Sequence, residues 1–115
     1  LSTLAGNLLQ SMPLPVSPLL GGVDAEGPAL FSLDAAGGVM TDDYGATGSG
    51  MQLAYGVLER QYEDGLTVDA ARDVVAEAVE SASERDTASG NGLTLATVTS
   101  EGVEMDTAAD PAEVV

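Results

Sequence analysis

Apolar residues recur with a helical period twice in the middle of this chain, and they come in short runs bounded by glycine on either side. Met51, Ala54, Tyr55, Leu58 and Tyr62 fall on one stripe, which predicts a helix over Met51–Tyr62. Glu63-Asp64-Gly65 ends it. Thr67 is a good N-cap for a second helix, Thr67–Glu84, with Asp69 in the first turn where negative charge suits the helix dipole. Val68, Ala71, Val75, Ala78, Val79 and Ala82 form its expected buried stripe, while Asp69, Asp73, Glu77, Glu80 and Glu84 line another face. Gly56 sits inside the first helix at a cost of about 1 kcal/mol relative to alanine, so close packing is expected there. Leu1–Gln10 reads as the end of a further helix, with Leu1, Leu4, Leu8 and Leu9 on one face and no capping residue before them.

The remaining pattern is that of strands. Pro13, Pro15 and Pro18 make residues 12–18 extended or loop-like, because proline has no N–H for a sheet ladder. Leu19–Asp24 and Ala29–Leu33 read as strands joined by a turn at Ala25-Glu26-Gly27-Pro28. Asp34-Ala35-Ala36-Gly37-Gly38 is a hairpin turn leading into Val39–Thr41. Leu93–Thr99 turns at Ser100-Glu101-Gly102 into Val103–Met105. Residues 106–115 are acidic and aperiodic and read as a mobile tail, which leaves residues 1–105 as part of one domain. Strands, two helices and strands again give an α+β layered architecture.

Composition sharpens this picture. The chain has 115 residues and only four aromatics, so its core is built from Leu, Val, Ala and Met. At ~25 cal/mol per Å² of buried apolar surface, such small side chains stabilise a core modestly. Nineteen acids face three arginines, Arg60, Arg72 and Arg85, for a net charge of −16 with no lysine. That surface repels nucleic-acid phosphates and anionic lipid. A lysine-free acidic chain points to a high-salt environment, where a Debye length of about 3 Å at 1 M salt screens the self-repulsion. There is no cysteine and no histidine, which excludes disulfides, thiolate or imidazole metal sites and any Ser-His-Asp or Cys-His pairing within the chain. No stretch of about 18 apolar residues offers a membrane span, and residues 1–20 lack the basic start of a signal peptide.

Two segments carry the candidate chemistry. Gly45-Ala46-Thr47-Gly48-Ser49-Gly50 opens the first helix, and Arg85-Asp86-Thr87-Ala88-Ser89-Gly90 closes the second. Each sets a hydroxyl among glycines, where backbone can approach another group closely. Ser49, Asp86 and Ser89 are thus placed to converge in a small polar site. By spacing alone, simpler roles also serve: Ser49 as a helix cap, Asp86 paired with Arg85 or Arg72, Ser89 as a turn residue.

In these segments the chain resembles the second half of an archaeal, haloarchaeal-like proteasome β subunit. The matching motifs are Tyr44-Gly45-Ala46-Thr47-Gly48-Ser49-Gly50, Tyr55-Gly56-Val57-Leu58-Glu59 and Arg85-Asp86-Thr87-Ala88-Ser89-Gly90, with Leu20-Gly21-Gly22-Val23-Asp24 and Phe31–Gly38 in support. Their order and spacing agree over Leu1–Glu104. The resemblance implies a four-layer αββα sandwich of the N-terminal-nucleophile hydrolase type, held here only as its C-terminal portion. It implies threonine-type endopeptidase activity in the whole protein, in the cytoplasm, within heptameric rings of β subunits stacked on α subunits and acting on polypeptides. It makes Ser49, Asp86 and Ser89 supporting residues around the amine of a terminal threonine. That threonine is absent: the chain begins with Leu1, Thr3 reads as a buried or capping hydroxyl, and the family's lysine is missing. The chain alone is therefore expected to be inactive. The resemblance implies no cofactor, no metal, no nucleic acid and no membrane.

Two other readings stand beside this one. The first is an acidic α+β binding module whose glycine loop at 45–50 cradles a nucleotide; that loop has no adjacent Lys or Arg, and its glycines run in the reverse of the dinucleotide order. The second is a purely structural acidic module. On charge alone, thermal melts from low to molar KCl are expected to show a midpoint that climbs with salt; a flat or falling midpoint removes the halophilic reading.

Overall fold

The structure, a computed structural model, describes residues 18–34 and 38–109. The helix expected over Leu1–Gln10, Thr3, the proline-rich stretch before Pro18 and the tail from residue 110 lie outside the described residues. The chain divides into two compact units, residues 1–47 and 48–115.

In the first unit, β1 (Leu19–Asp24), β2 (Gly27–Leu33) and β3 (Val39–Asp42) form an antiparallel sheet in the order β1-β2-β3. The register runs from Leu19 opposite Ser32 to Asp24 opposite Gly27, and from Leu30 opposite Asp42 to Leu33 opposite Val39. The turn between β1 and β2 is one step tighter than the sequence suggests. Its closing pair is Asp24 and Gly27, so Gly27 and Pro28 belong to β2. The Asp24 carboxylate accepts the Glu26 N–H at 2.8 Å, and Gly27 takes φ +110°. Pro28 is tolerated because β3 reaches no further along β2 than Leu30, so no third strand asks proline for an N–H. Asp34 frames the next turn: its N–H reaches the Gly38 carbonyl at 3.0 Å, and its carboxylate accepts the Gly38 N–H at 2.7 Å.

The second unit holds α1 (Met51–Gln61), α2 (Val68–Arg85), β4 (Leu93–Thr99) and β5 (Gly102–Ala108), the strands paired as an antiparallel hairpin. Thr67 caps α2 as expected, its hydroxyl accepting the Ala70 N–H at 3.1 Å. The β4–β5 turn repeats the β1–β2 device: the Thr99 hydroxyl accepts the Glu101 N–H at 3.2 Å, and Gly102 sits at φ +132°. Strand β5 runs to Ala108, three residues beyond the expected end at Met105. Asp106, expected to open the tail, is paired opposite Leu95 instead. Arg72 on α2 donates to the Thr97 hydroxyl at 3.1 Å and to the Asp106 carboxylate at 2.8 Å, tying the helix to both strands.

The buried set corrects the expected stripe of α2. Val74, Ala76, Ala78 and Ala82 are buried, with Val57 and Leu58 of α1 and Leu93 and Leu95 of β4. Val68 and Val75 are 51% and 43% exposed. Helix α2 has two partners, not one. At about 100° per residue, Val74, Ala78 and Ala82 share one flank, whereas Ala76 and Val79 face the other, toward Leu93 and Leu95. Val68 and Val75 fall between the flanks, in a groove they share with Ala71, Arg72, Leu95, Ala96, Thr97 and Val98. Gly56 is likewise corrected: a Cβ built there meets nothing within 4 Å, so no close packing explains it. No described helix is long and apolar enough to cross a membrane.

These two glycine environments predict opposite outcomes. Gly102→Ala forces an L side chain to positive φ and is expected to destabilise the chain by about 1–2 kcal/mol. Gly56→Ala removes backbone freedom from an exposed helix position and is expected to stabilise by about 0.5–1 kcal/mol. Denaturant unfolding in molar KCl measures both.

Candidate functional site

The site lies where α1 begins and α2 ends, wholly within the second unit. Gly48, at φ +110°, turns the chain into α1, and its carbonyl accepts the Met51 N–H at 3.2 Å. Gly50 is the N-cap, with its carbonyl taking the N–H groups of Leu53 and Ala54, both at 3.1 Å. At the other end Asp86 is the C-cap of α2, its N–H closing on the Ala82 carbonyl at 2.8 Å. The chain then folds back so that the Ser89 N–H reaches the Asp86 carbonyl at 3.1 Å.

This geometry brings all three expected residues together. The hydroxyls of Ser49 and Ser89 both donate to the same carboxylate oxygen, Asp86 Oδ2, at 2.5 and 2.6 Å. Such lengths belong to hydrogen bonds onto an ionised acceptor. The Ser49 hydroxyl holds the Asp86 carboxyl below its ordinary value of 3.8, Ser89 adds to the effect, and the Ala88 N–H contributes; partial burial opposes them. The carboxylate also lies at the start of α1, the positive end of that helix dipole. Of the simpler roles, Ser89 does close the turn that Asp86 opens, while the other two are not taken. Ser49 makes no capping bond to α1, and Arg72 spends its guanidinium on Thr97 and Asp106.

Sequence reasoning missed the feature that lets these groups meet. A Cβ on Gly50 would stand 2.8 Å from the Ala82 Cβ, 3.1 Å from Ser89 Oγ and 3.4 Å from Asp86 Oδ2. Glycine was visible at position 50, but its partner 32 residues away was not. The glycine loop is also unsuited to a phosphate. The Met51 and Leu53 N–H groups are already bonded, and an anion at this helix start would meet the Asp86 carboxylate. Among the described residues no group of three or more carboxylates is arranged to hold a metal ion.

Comparison with known proteins agrees with the motifs. The family model described as "Proteasome subunit" matches residues 2–98. The chain belongs to the proteasome subunit family. It is 59% identical over 106 residues to "Proteasome subunit beta 2" of Haloterrigena turkmenica, covering 91% of this chain and 45% of that relative. It is 54% identical over 107 residues to "Proteasome subunit beta" of Halorhabdus utahensis, covering 92% and 46%. With "Proteasome subunit beta" of Natrialba magadii the identity is 56% over 106 residues, covering 91% and 44%. The chain therefore spans a little under half the length of these relatives. The relatives come from halophilic archaea, which agrees with the charge of −16. Two antiparallel sheets and a helix pair are compatible with part of an α+β domain of the N-terminal-nucleophile type.

The lowered Asp86 carboxyl sets a pH dependence. A carboxyl whose folded value is depressed adds stability above its unfolded value, and that stability is lost as pH falls through the folded value. Ser49→Ala removes the largest cause of the depression. Its stability deficit against the wild type is expected to be full at about pH 6 and to close below about pH 3.8. Unfolding curves across pH in molar KCl measure this; a deficit independent of pH would mean Ser49 acts through packing alone.

Proposed function

We propose that this chain is the portion of a proteasome β subunit that supports its nucleophile, in a threonine-type endopeptidase that degrades polypeptides in the cytoplasm. The observation that supports the reading is the bonding of Ser49 and Ser89 to one oxygen of Asp86. An N-terminal threonine attacks a peptide carbonyl through its hydroxyl, and its own α-amine, or a water held by that amine, takes the proton. An α-amine titrates near 8, so a usable neutral fraction exists near neutral pH. The amine then needs orientation.

A serine hydroxyl that donates its proton to Asp86 keeps its lone pairs free to accept an amine N–H. Two such hydroxyls, aligned by one anion, form an acceptor pair of fixed direction. Asp86 works through them: as an anion it determines which way each hydroxyl points. The two hydroxyl bonds favour the anionic form of Asp86, and the arrangement holds wherever that carboxyl is ionised. Ser49, Asp86 and Ser89 are in this reading positioning residues, and the nucleophile belongs to sequence outside this chain. The partners are other β subunits and α subunits in heptameric rings, and no cofactor takes part.

The test uses a polypeptide of the relatives' length that carries this sequence and an N-terminal threonine. Asp86→Asn turns a uniform acceptor into a mixed donor and acceptor at the oxygen both serines use. Turnover of a fluorogenic peptide is expected to fall about 10²–10⁴-fold, the usual range for lost acid–base positioning. Turnover within a factor of two of the wild type would return Asp86 to a structural role. Measurable hydrolysis by the 115-residue chain alone, blocked by a threonine-directed inhibitor, would overturn the assignment of the nucleophile.

A further inference from the structure

We infer that Gly50 and Ala82 act as a paired spacer that sets the distance between Ser49 and Asp86, and so are positioning residues for the site. The inference rests on the functional reading above only for its significance; the geometry stands by itself.

At one end of the pair, the start of α1 and the end of α2 come close at Gly50 and Ala82. The Gly50 Cα faces the Ala82 methyl, and a methyl added at position 50 would stand 2.8 Å from it. Carbon atoms do not approach so closely, and neither partner can yield by rotating, since the Ala82 Cβ is fixed to the α2 backbone. Relief requires the start of α1 to move away from the end of α2. Ser49 precedes Gly50 and Asp86 follows Ala82 by one turn, so the same movement lengthens the Ser49–Asp86 bond of 2.5 Å. The added methyl would also press on Ser89 Oγ at 3.1 Å, the second donor to the same oxygen. Ala82 is itself buried, at 9% exposure, so its small size matters from the α2 side as well. Conformation does not account for this glycine: at φ −94° and ψ 10° position 50 is open to any L residue. Capping does not account for it either, since serine, aspartate or asparagine serves better there. The close approach remains as its reason.

The experiment transfers the methyl from one helix to the other. The Asp86 carboxyl is titrated by carbon-13 NMR in molar KCl in four versions of the 115-residue chain: wild type, Gly50→Ala, Gly50→Ala with Ala82→Gly, and Gly56→Ala. In the wild type Asp86 is expected to titrate below 3.8. Gly50→Ala is expected to move it back toward the ordinary aspartate range, and the double variant to return it to the wild-type value. Gly56→Ala, whose methyl meets open space, is expected to leave it unchanged. An unshifted Asp86 in a folded Gly50→Ala chain would overturn the inference. So would a double variant that fails to restore the wild-type titration, including the case in which Gly50→Ala alone does not fold. An equal shift in Gly56→Ala would show a general effect of helix substitution and would also overturn it. If these titrations behave as expected while Asp86→Asn leaves peptidase turnover intact, the spacer stands and the functional reading falls.

Discussion

The site depends on one close approach, the contact of the Gly50 backbone with the Ala82 methyl. Small residues let the start of one helix and the end of another come within reach of hydroxyl-to-carboxylate bonds. The Ser49–Asp86 bond between them is directional and short, so it tolerates little change in helix spacing. The positive end of α1 and two hydroxyl donors then stabilise the Asp86 anion together.

Helix α2 connects this end of the unit to the other. One flank, through Val74, Ala78 and Ala82, is buried on the helix-contact side, and the other, through Ala76 and Val79, meets β4. Arg72 extends the second contact to both strands of the hairpin through Thr97 and Asp106. An exposed ion pair contributes about 0–1 kcal/mol, so the bridge orients more than it stabilises. An alanine-rich helix suits such a double role, because small side chains allow close neighbours on two sides. The same economy of apolar surface leaves Val68, Val75, Val98, Val103 and Met105 exposed in a chain that spans under half the length of its relatives.

Family membership and site geometry rest on separate observations. The match over residues 2–98 comes from sequence likeness, whereas the shared oxygen of Asp86 comes from where two helix ends meet. The proposed function joins them: a group of hydroxyls aligned by an anion suits the orientation of an amine, which the proposed N-terminal threonine would carry beside its hydroxyl. The division of labour is physical. In that proposal a nucleophile at a chain terminus is held by groups at helix ends, whose positions are determined by packing.

The linear sequence determined what depends on neighbours along the chain. The limits of β1 and β4, the Thr67 cap, the turn at Ser100-Glu101, though not its extension to Gly102, and the positions of Ser49, Asp86 and Ser89 at helix ends were legible, because periodicity, capping and turn chemistry act over a few residues. The acidic, lysine-free surface was legible from composition. Tertiary structure decided what depends on which face meets which partner. The stripe through Val68 and Val75 predicted their burial, but α2 has two neighbours and both valines fall between them. The helical position of Gly56 suggested close packing where there is open space, while Gly50, which does meet a neighbour, gave no such sign. Asp106 read as the start of a tail until its strand partner and Arg72 were seen. A contact between residues 50 and 82 has no local signature, since its cause is a distance through space set by two helices and a hairpin packing together.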